Sequence, residues 1–439
     1  MNRGNWLDRA LRLFGDVRAG EGLAVVLLFA NVFVLLVAYY ILKVVREPLI
    51  LAQGAELKSY AAATQAVLLV AYVPIYSWIA SRLPPRTLIL TIVLFFAACI
   101  ELFVLAGRSG MPYLGFAFFV WLGIFSLTTV AQFWSFANDL YRREDGERLF
   151  PLIAIGATVG APIGAALAGW LFKDGIGPYT LMQAAAVLLL VQLGLYEAMQ
   201  RRRAPLVAVP PAAPQSHKGG RSDGFALVLR SRYLLLIALL LMVLNIVSTT
   251  GEYILSRNVV DAAARQSSDP AGREAFIGGF YGQHFLVINI AAFLVQAFAV
   301  SRLVKRFGLA GVLFIHPIAA LGAYGLVGVG ASLAVARWAK TADAALDYSA
   351  TNTAKQMLWL PTTREEKYQA KQAIDTFFVR FGDLLAAAVV FIGTQWLTLS
   401  ASGFALSNLL FVVAWIAITM LLLREYQRLS APREAKRAA

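Results

Sequence analysis

Twelve apolar runs, each long enough to cross a bilayer as a helix, punctuate this chain and constrain its fold more than any other feature. A hydrocarbon core of ~30 Å takes roughly 20 apolar residues in helical form. Runs of that size lie at 23–42, 60–81, 88–107, 113–137, 149–172 and 179–199. After a polar gap they resume at 233–255, 277–300, 309–330, 331–354, 374–398 and 402–423. Hydrocarbon offers no partner for backbone amides, so such runs must bond internally as helices. The expected class is therefore an all-α membrane protein with two sets of six spans. Charged residues make up only 15% of the chain, against roughly 25% in soluble domains.

A net charge of +14 raises the question of a nucleic-acid partner. The placement of the charges answers it. With both termini cytoplasmic, 28 of the 39 Lys and Arg residues fall on the cytoplasmic side and eight on the other. The remaining three, Arg337, Lys340 and Arg380, lie within spans. That asymmetry is the positive-inside pattern. The expected partner is the bilayer, with the chain multi-pass in a bacterial inner membrane, and no nucleic acid is expected. A monomer is the working expectation. The single cysteine, Cys99, can form neither an internal disulfide nor a zinc site. There is no GxxxxGK[ST] phosphate loop and no HExxH motif, so no ATP-driven pump, metal site, cofactor or enzymatic role is expected. No cleavable signal peptide is evident. The opening MNRGNWLDRALRLFG mixes Arg with Trp, Leu and Phe, and reads either as a short interfacial helix or as a frayed terminus.

The segment 200–231 is rich in Pro, Ala, Gly and cations and reads as a flexible cytoplasmic linker. The expected organisation is an interfacial segment 1–20, a six-helix bundle 21–199, the linker 200–231, a second bundle 232–424 and a basic tail 425–439. Two short self-similarities support a duplication. SRLPPR (81–86) answers SRLVKR (301–306), and YYILK (39–43) answers EYILS (252–256). Parallel six-helix repeats joined on the cytoplasmic side are the major facilitator layout, with substrate held between the halves near the midplane.

Charges at membrane depth are the functional leads, because a charge at the centre of a lone helix costs ~2.5–3.5 kcal/mol on insertion scales. Lys43 and Arg46 share a face near the outer end of the first span. They either draw an anion inward or snorkel to the interface, and Glu47 stands ready to neutralise one of them. The seventh span carries a polar stripe of Asn245, Thr249, Thr250 and Glu252, and Glu252 is a candidate partner for Lys43 or Arg46. In the tenth span Arg337, Lys340, Asp343 and Asp347 recur at steps of three, three and four. That face either neutralises itself or contacts substrate or an ion. The eleventh span offers Asp375, Arg380 and Asp383, the last two three residues apart. His316, next to Pro317, reads as a satisfied residue at a helix kink. In the fifth span Gly156, Gly160, Gly164 and Ala168 recur every fourth residue, giving either a static packing face or a sliding surface between the halves.

Longer motifs carry a resemblance. YYILKVVREPLI (39–50), FWSFANDLYRREDGERLFPLIAIGATVG (133–160), GFALVLRSRYLLLIALLLMV (224–243) and AKTADAALDYSATNTAKQMLWLPTTREEKYQAKQAID (339–375) resemble the twelve-helix nucleotide transporter (ATP/ADP translocase) family. Lys43, Arg46 and Glu47 match the family's pattern of two basic residues and an acid at the end of span one. Glu252 matches its acid in span seven, and Lys371 a lysine beyond span ten. The family's acid early in span four has no counterpart, and Ser256 stands where a basic residue is usual. KYQAK and DTFFVRFGD resemble the bacterial relatives of the translocases more than the exchangers of energy parasites.

The resemblance implies a secondary transporter of an anionic solute, with a nucleotide as leading candidate, working by alternating access. Lys43, Arg46, Lys340 and Arg380 are the expected phosphate contacts. Glu47, Glu252, Arg337, Asp343, Asp347, Lys371 and Asp383 are the expected gating or coupling residues. Proton-coupled movement of another organic anion or lipid-like solute is the alternative. A membrane scaffold or sensor that transports nothing is a second.

Overall fold

The computed structural model describes residues 6–13, 16–141, 143–201, 221–330, 332–363 and 366–438. Among them there is no strand. A short helix α1 (Trp6–Leu11) precedes six long ones: α2 (Gly22–Leu51), α3 (Ala55–Ala80), α4 (Pro85–Arg108), α5 (Leu114–Leu140), α6 (Arg143–Lys173) and α7 (Pro178–Arg201). Then come α8 (Arg221–Arg230), α9 (Arg232–Gln266), α10 (Pro270–Leu294), α11 (Ser301–Val329), α12 (Leu333–Leu346), α13 (Asn352–Met357), α14 (Lys371–Ala373), α15 (Val379–Phe391) and α16 (Ala401–Ala438). Wider π turns at Val295–Val300, Asp347–Thr351, Glu366–Ala370, Ile374–Phe378 and Ile392–Trp396 interrupt the second half.

Ten helical stretches among the described residues are long and apolar enough to span a membrane. One of them, Pro270–Val329, is 60 residues long and breaks at Gly308, whose φ of 58° a side chain would resist. It holds both of the spans expected at 277–300 and 309–330. The span expected at 331–354 is also helical, running through α12, a π turn and α13. Its four charges keep it out of the apolar set. The described residues thus form an all-α set of membrane-spanning helices.

The ends differ from expectation. Residues 221–230 of the expected linker form α8, because Val228 and Phe225 pack inward: Val228 is buried, and Phe225 meets Phe377 and Phe378 edge-on or tilted at 5.0 and 6.1 Å. Residues 202–220 lie outside the described residues. The tail is helical too, since α16 continues to Ala438. At the start, α1 is anchored by Asp8, whose carboxylate accepts from the backbone amides of Gly20 and Gly22 at 3.0 and 2.9 Å.

Two compact units form. The first takes Met1–Ala52, Tyr72–Gln215 and Ser267–Leu286, and the second Gln53–Ala71, Ser216–Gln266 and Val287–Ala439. Neither is contiguous. The opening part of α3 belongs with the second unit and the opening part of α10 with the first. The exchanged pieces hold equivalent places, each in the second spanning helix of its repeat.

In the first unit the glycine ladder of α6 lies on α2. A Cβ at Gly156, Gly160 or Gly164 would stand 2.5–2.6 Å from the carbonyl oxygens of Phe29, Phe33 and Val37 respectively. The four-residue steps of the two helices coincide, which is the close backbone approach that small residues permit in lipid. Both helices belong to the first unit, so the ladder is internal packing and the sliding-surface reading does not hold. In the second unit α9 is the central helix, and Gly382 of α15 sits against Met242 and Asn245.

Candidate functional site

The first unit presents two cations on one turn of α2. Lys43 lies in a fork of rings, with Nζ 4.9 Å from the centroid of Tyr40 and 4.6 Å from that of Phe285. The two rings meet nearly at right angles. Such faces stabilise an ammonium by their quadrupoles while leaving it half-buried rather than sealed. Arg46, one turn on, carries its guanidinium over Phe119 at 4.2 Å and donates from Nε to Glu47 Oε1 at 3.0 Å. Its Nη2 also contacts that oxygen. Glu47 is completely buried and pairs with Arg46.

The second unit holds a denser arrangement. Lys340 of α12 spends all three of its N–H donors, on Asp343 Oδ2 at 2.6 Å and on the backbone and hydroxyl oxygens of Ser248 at 2.8 Å each. Ser248 in turn donates to Asp343 Oδ2 at 3.2 Å. The other carboxylate oxygen accepts from His316 Nε2 of α11 at 2.9 Å. An ionised carboxylate can only accept, so Nε2 carries the proton. Nδ1 then faces the hydroxyl of Thr351 at 2.7 Å. The side chains of Lys340, Asp343 and His316 are 7%, 2% and 1% exposed. Three helices, α9, α11 and α12, are thereby tied by one polar cluster inside lipid-spanning segments.

The tenth-span face is therefore split. Lys340 and Asp343 pair with each other, three residues apart. Asp347 opens the π turn, which rotates the residues beyond it, and pairs with Lys355 at 3.2 Å. Arg337 is half-buried one turn before Lys340, near the ring of Trp338. On α15, Arg380 reaches Asp383 at 3.5 Å, and Asn245 donates to Asp383 at 3.3 Å and to the Val379 carbonyl at 2.7 Å. Lys371 pairs with Asp375 at 2.9 Å on an accessible stretch of the chain.

Glu252 pairs with a residue that sequence reasoning missed. Lys58, in the first turn of α3, donates to Glu252 Oε1 at 2.6 Å, and its side chain is 6% exposed. Both lie in the second unit. Lys58 lies just before the span expected at 60–81 and so counted among the cations outside the spans, whereas α3 begins at Ala55 and takes it in. His316, Ser248 and Thr351 were missed as members of a network because each looks ordinary in its own helix. Only the packing of α9, α11 and the π turn brings them together.

The family model described as TLC ATP/ADP transporter matches residues 118–327. Over that stretch the chain is similar to the TLC ATP/ADP transporters. The match runs from α5 into α11 and contains Glu252, Ser248 and His316; Lys43, Arg46, Lys340 and Arg380 lie outside it. The chain is 24% identical over 291 residues to "ADP,ATP carrier protein 1" of Chlamydia trachomatis serovar D, covering 57% of this chain and 53% of that protein. A protein of the same name from Chlamydia pneumoniae is 22% identical over 293 residues, covering 57% and 55%. The chain thus spans about half the length of the curated relatives it matches. Among solved structures, the nucleoside transporter NupG superposes with a TM-score of 0.64 at 12% identity, covering 91% of this chain and 99% of that one. A POT family transporter superposes with a TM-score of 0.64 at 13% identity, covering 93% and 96%. At those identities the likeness establishes the fold alone.

Proposed function

We propose that this protein is a secondary transporter that carries an anionic solute, with a nucleotide as the leading candidate, by alternating access across a bacterial inner membrane. The observation that carries the reading is that charged groups are retained deep in spanning helices and are built into defined settings. The Lys340–Asp343–His316 cluster is nearly sealed, whereas Lys43 and Arg46 remain half-buried against aromatic faces. Charges at this depth are costly and typically mark a solute path. The names of the chlamydial relatives supply the nucleotide.

Within this reading Lys43 and Arg46 are the first phosphate contacts, with Lys340 and Arg380 as the corresponding groups in the second repeat. Glu47 holds Arg46 until an anion competes for it. The Lys58–Glu252 pair joins segments of the two sequence repeats and serves as a gate. Asp343, Asp383 and Arg337 hold the helices that carry these groups, and Asp347 and Lys371 pair locally at π turns. Both termini face the cytoplasm, and the carrier works as a monomer.

Uptake of labelled ATP and ADP by proteoliposomes tests the proposal. Arg46→Gln should lower uptake at least tenfold while the protein still folds. Unchanged uptake in Arg46→Gln would remove the phosphate role, and no nucleotide flux in the unaltered protein would remove the nucleotide.

A second reading, proton-coupled movement of another organic anion or lipid-like solute, draws on His316, a titratable ring bonded at both nitrogens within the cluster. Substrate-dependent proton flux that disappears in Glu252→Gln would favour it.

A further inference from the structure

The first unit contains a small cavity of about 10 Å³ among α2, α4, α5 and α7, and its polar lining comes from Asn31, Thr129, Gln132 and Gln192. Asn31 and Gln192 bond each other: Asn31 Nδ2 donates to the Gln192 backbone oxygen at 2.9 Å, and Gln192 Nε2 donates to Asn31 Oδ1 at 2.9 Å. That exchange uses the nitrogen end of the Gln192 side chain and leaves Oε1 buried without a protein partner. Across the cavity, Gln132 Nε2 is buried without a hydrogen bond of ordinary length, although its amide lies near the Tyr76 hydroxyl, and one of its two N–H groups remains for the cavity. Gln192 and Gln132 are only 6% and 5% exposed. Thr129 donates its hydroxyl proton to the Phe125 carbonyl at 2.8 Å, which leaves its oxygen free to accept.

We propose that this cavity is a binding site for one water molecule, which accepts from Gln132 Nε2 and donates to Gln192 Oε1 and Thr129 Oγ1. The volume is that of a single water probe, and three hydrogen bonds is the usual complement of an internal water. Lipid on the outside of the helices offers the orphaned amides no alternative. The donor set selects water over a metal cation, because an amide N–H pointing into the cavity repels a cation. The water joins the polar side chains of α5 to that of α7, beside the edge-on contact of Phe136 with Tyr196. The site is independent of which solute the protein carries.

A crystal structure of the full chain, grown from lipid at a resolution that shows ordered water, is the direct test. The expected result is one density peak within hydrogen-bonding distance of both amide atoms. An empty cavity, or a rotated Gln132 amide bonded directly to Gln192, overturns the proposal. Stability in solution gives a second measure. Gln132→Met and Gln192→Met each eject the same water, so their combined loss of melting temperature should be clearly less than the sum of the single losses. Additive losses count against a shared water. Stability that rises with sodium or potassium concentration, at constant ionic strength, overturns it in favour of a cation.

Discussion

Replacing Lys340 by Met removes one charge from the cluster that binds α9, α11 and α12, and the structure sets the size of the consequence. Lys340 makes three hydrogen bonds and Asp343 receives three, from Lys340, Ser248 and His316. Met fills most of the volume but leaves a carboxylate that is 2% exposed without its cation. Breaking a buried pair by removing one partner costs about 3–5 kcal/mol. The carboxylate keeps two donors, so the lower end of that range is expected here. Removing both charges relieves the defect, so Lys340→Met combined with Asp343→Leu should recover at least half of the single-variant loss, even though Ser248 and His316 then lose a partner. Unfolding free energies in bilayer nanodiscs, taken as a double-mutant cycle, supply the measurement. A loss below about 1 kcal/mol for Lys340→Met, or additivity in the double variant, would refute the buried-pair reasoning.

The glycine ladder gives a paired expectation: Gly164→Ala places a Cβ 2.5 Å from the Val37 carbonyl and should cost about 1–3 kcal/mol, measured by the same unfolding assay. Gly194→Ala in α7 meets nothing within 4 Å and should stabilise by up to about 1 kcal/mol; equal effects at the two positions would show that α2 and α6 are not in close backbone contact. Just before α2, Glu21 receives both Nη groups of Arg148 at 2.7 Å, and that hydrogen bonding holds its carboxyl below the ordinary glutamate value against the opposing pull of burial. A depressed carboxyl contributes stability that is complete above the unfolded value of about 4.3 and disappears as pH falls through the folded one, so Glu21→Gln should destabilise at pH 7 and lose that deficit in acid. A deficit that stayed constant from pH 7 into the acid range would contradict the assignment.

The spans were legible because twenty apolar residues in a row have one solution in lipid. Even the double span at 270–329 separates where Gly308 would be expected to break it. Side-chain pairs within one helix were legible for the same kind of reason: Lys340–Asp343 and Arg380–Asp383 follow from a three-residue spacing. What failed was the assumption that the spacing continues. At Asp347 the helix widens into a π turn, the face turns away, and Lys355 takes over as partner. No local propensity in DYSAT announces that turn. Pairs between helices were less legible still. The opening turns of α3 join the second unit and carry Lys58 to Glu252, a pairing that neither helix announces alone. That exchange of segments is a property of the packing of whole helices. It also gives the Lys58–Glu252 pair its significance: an ion pair between two repeats of the chain, held inside one compact unit.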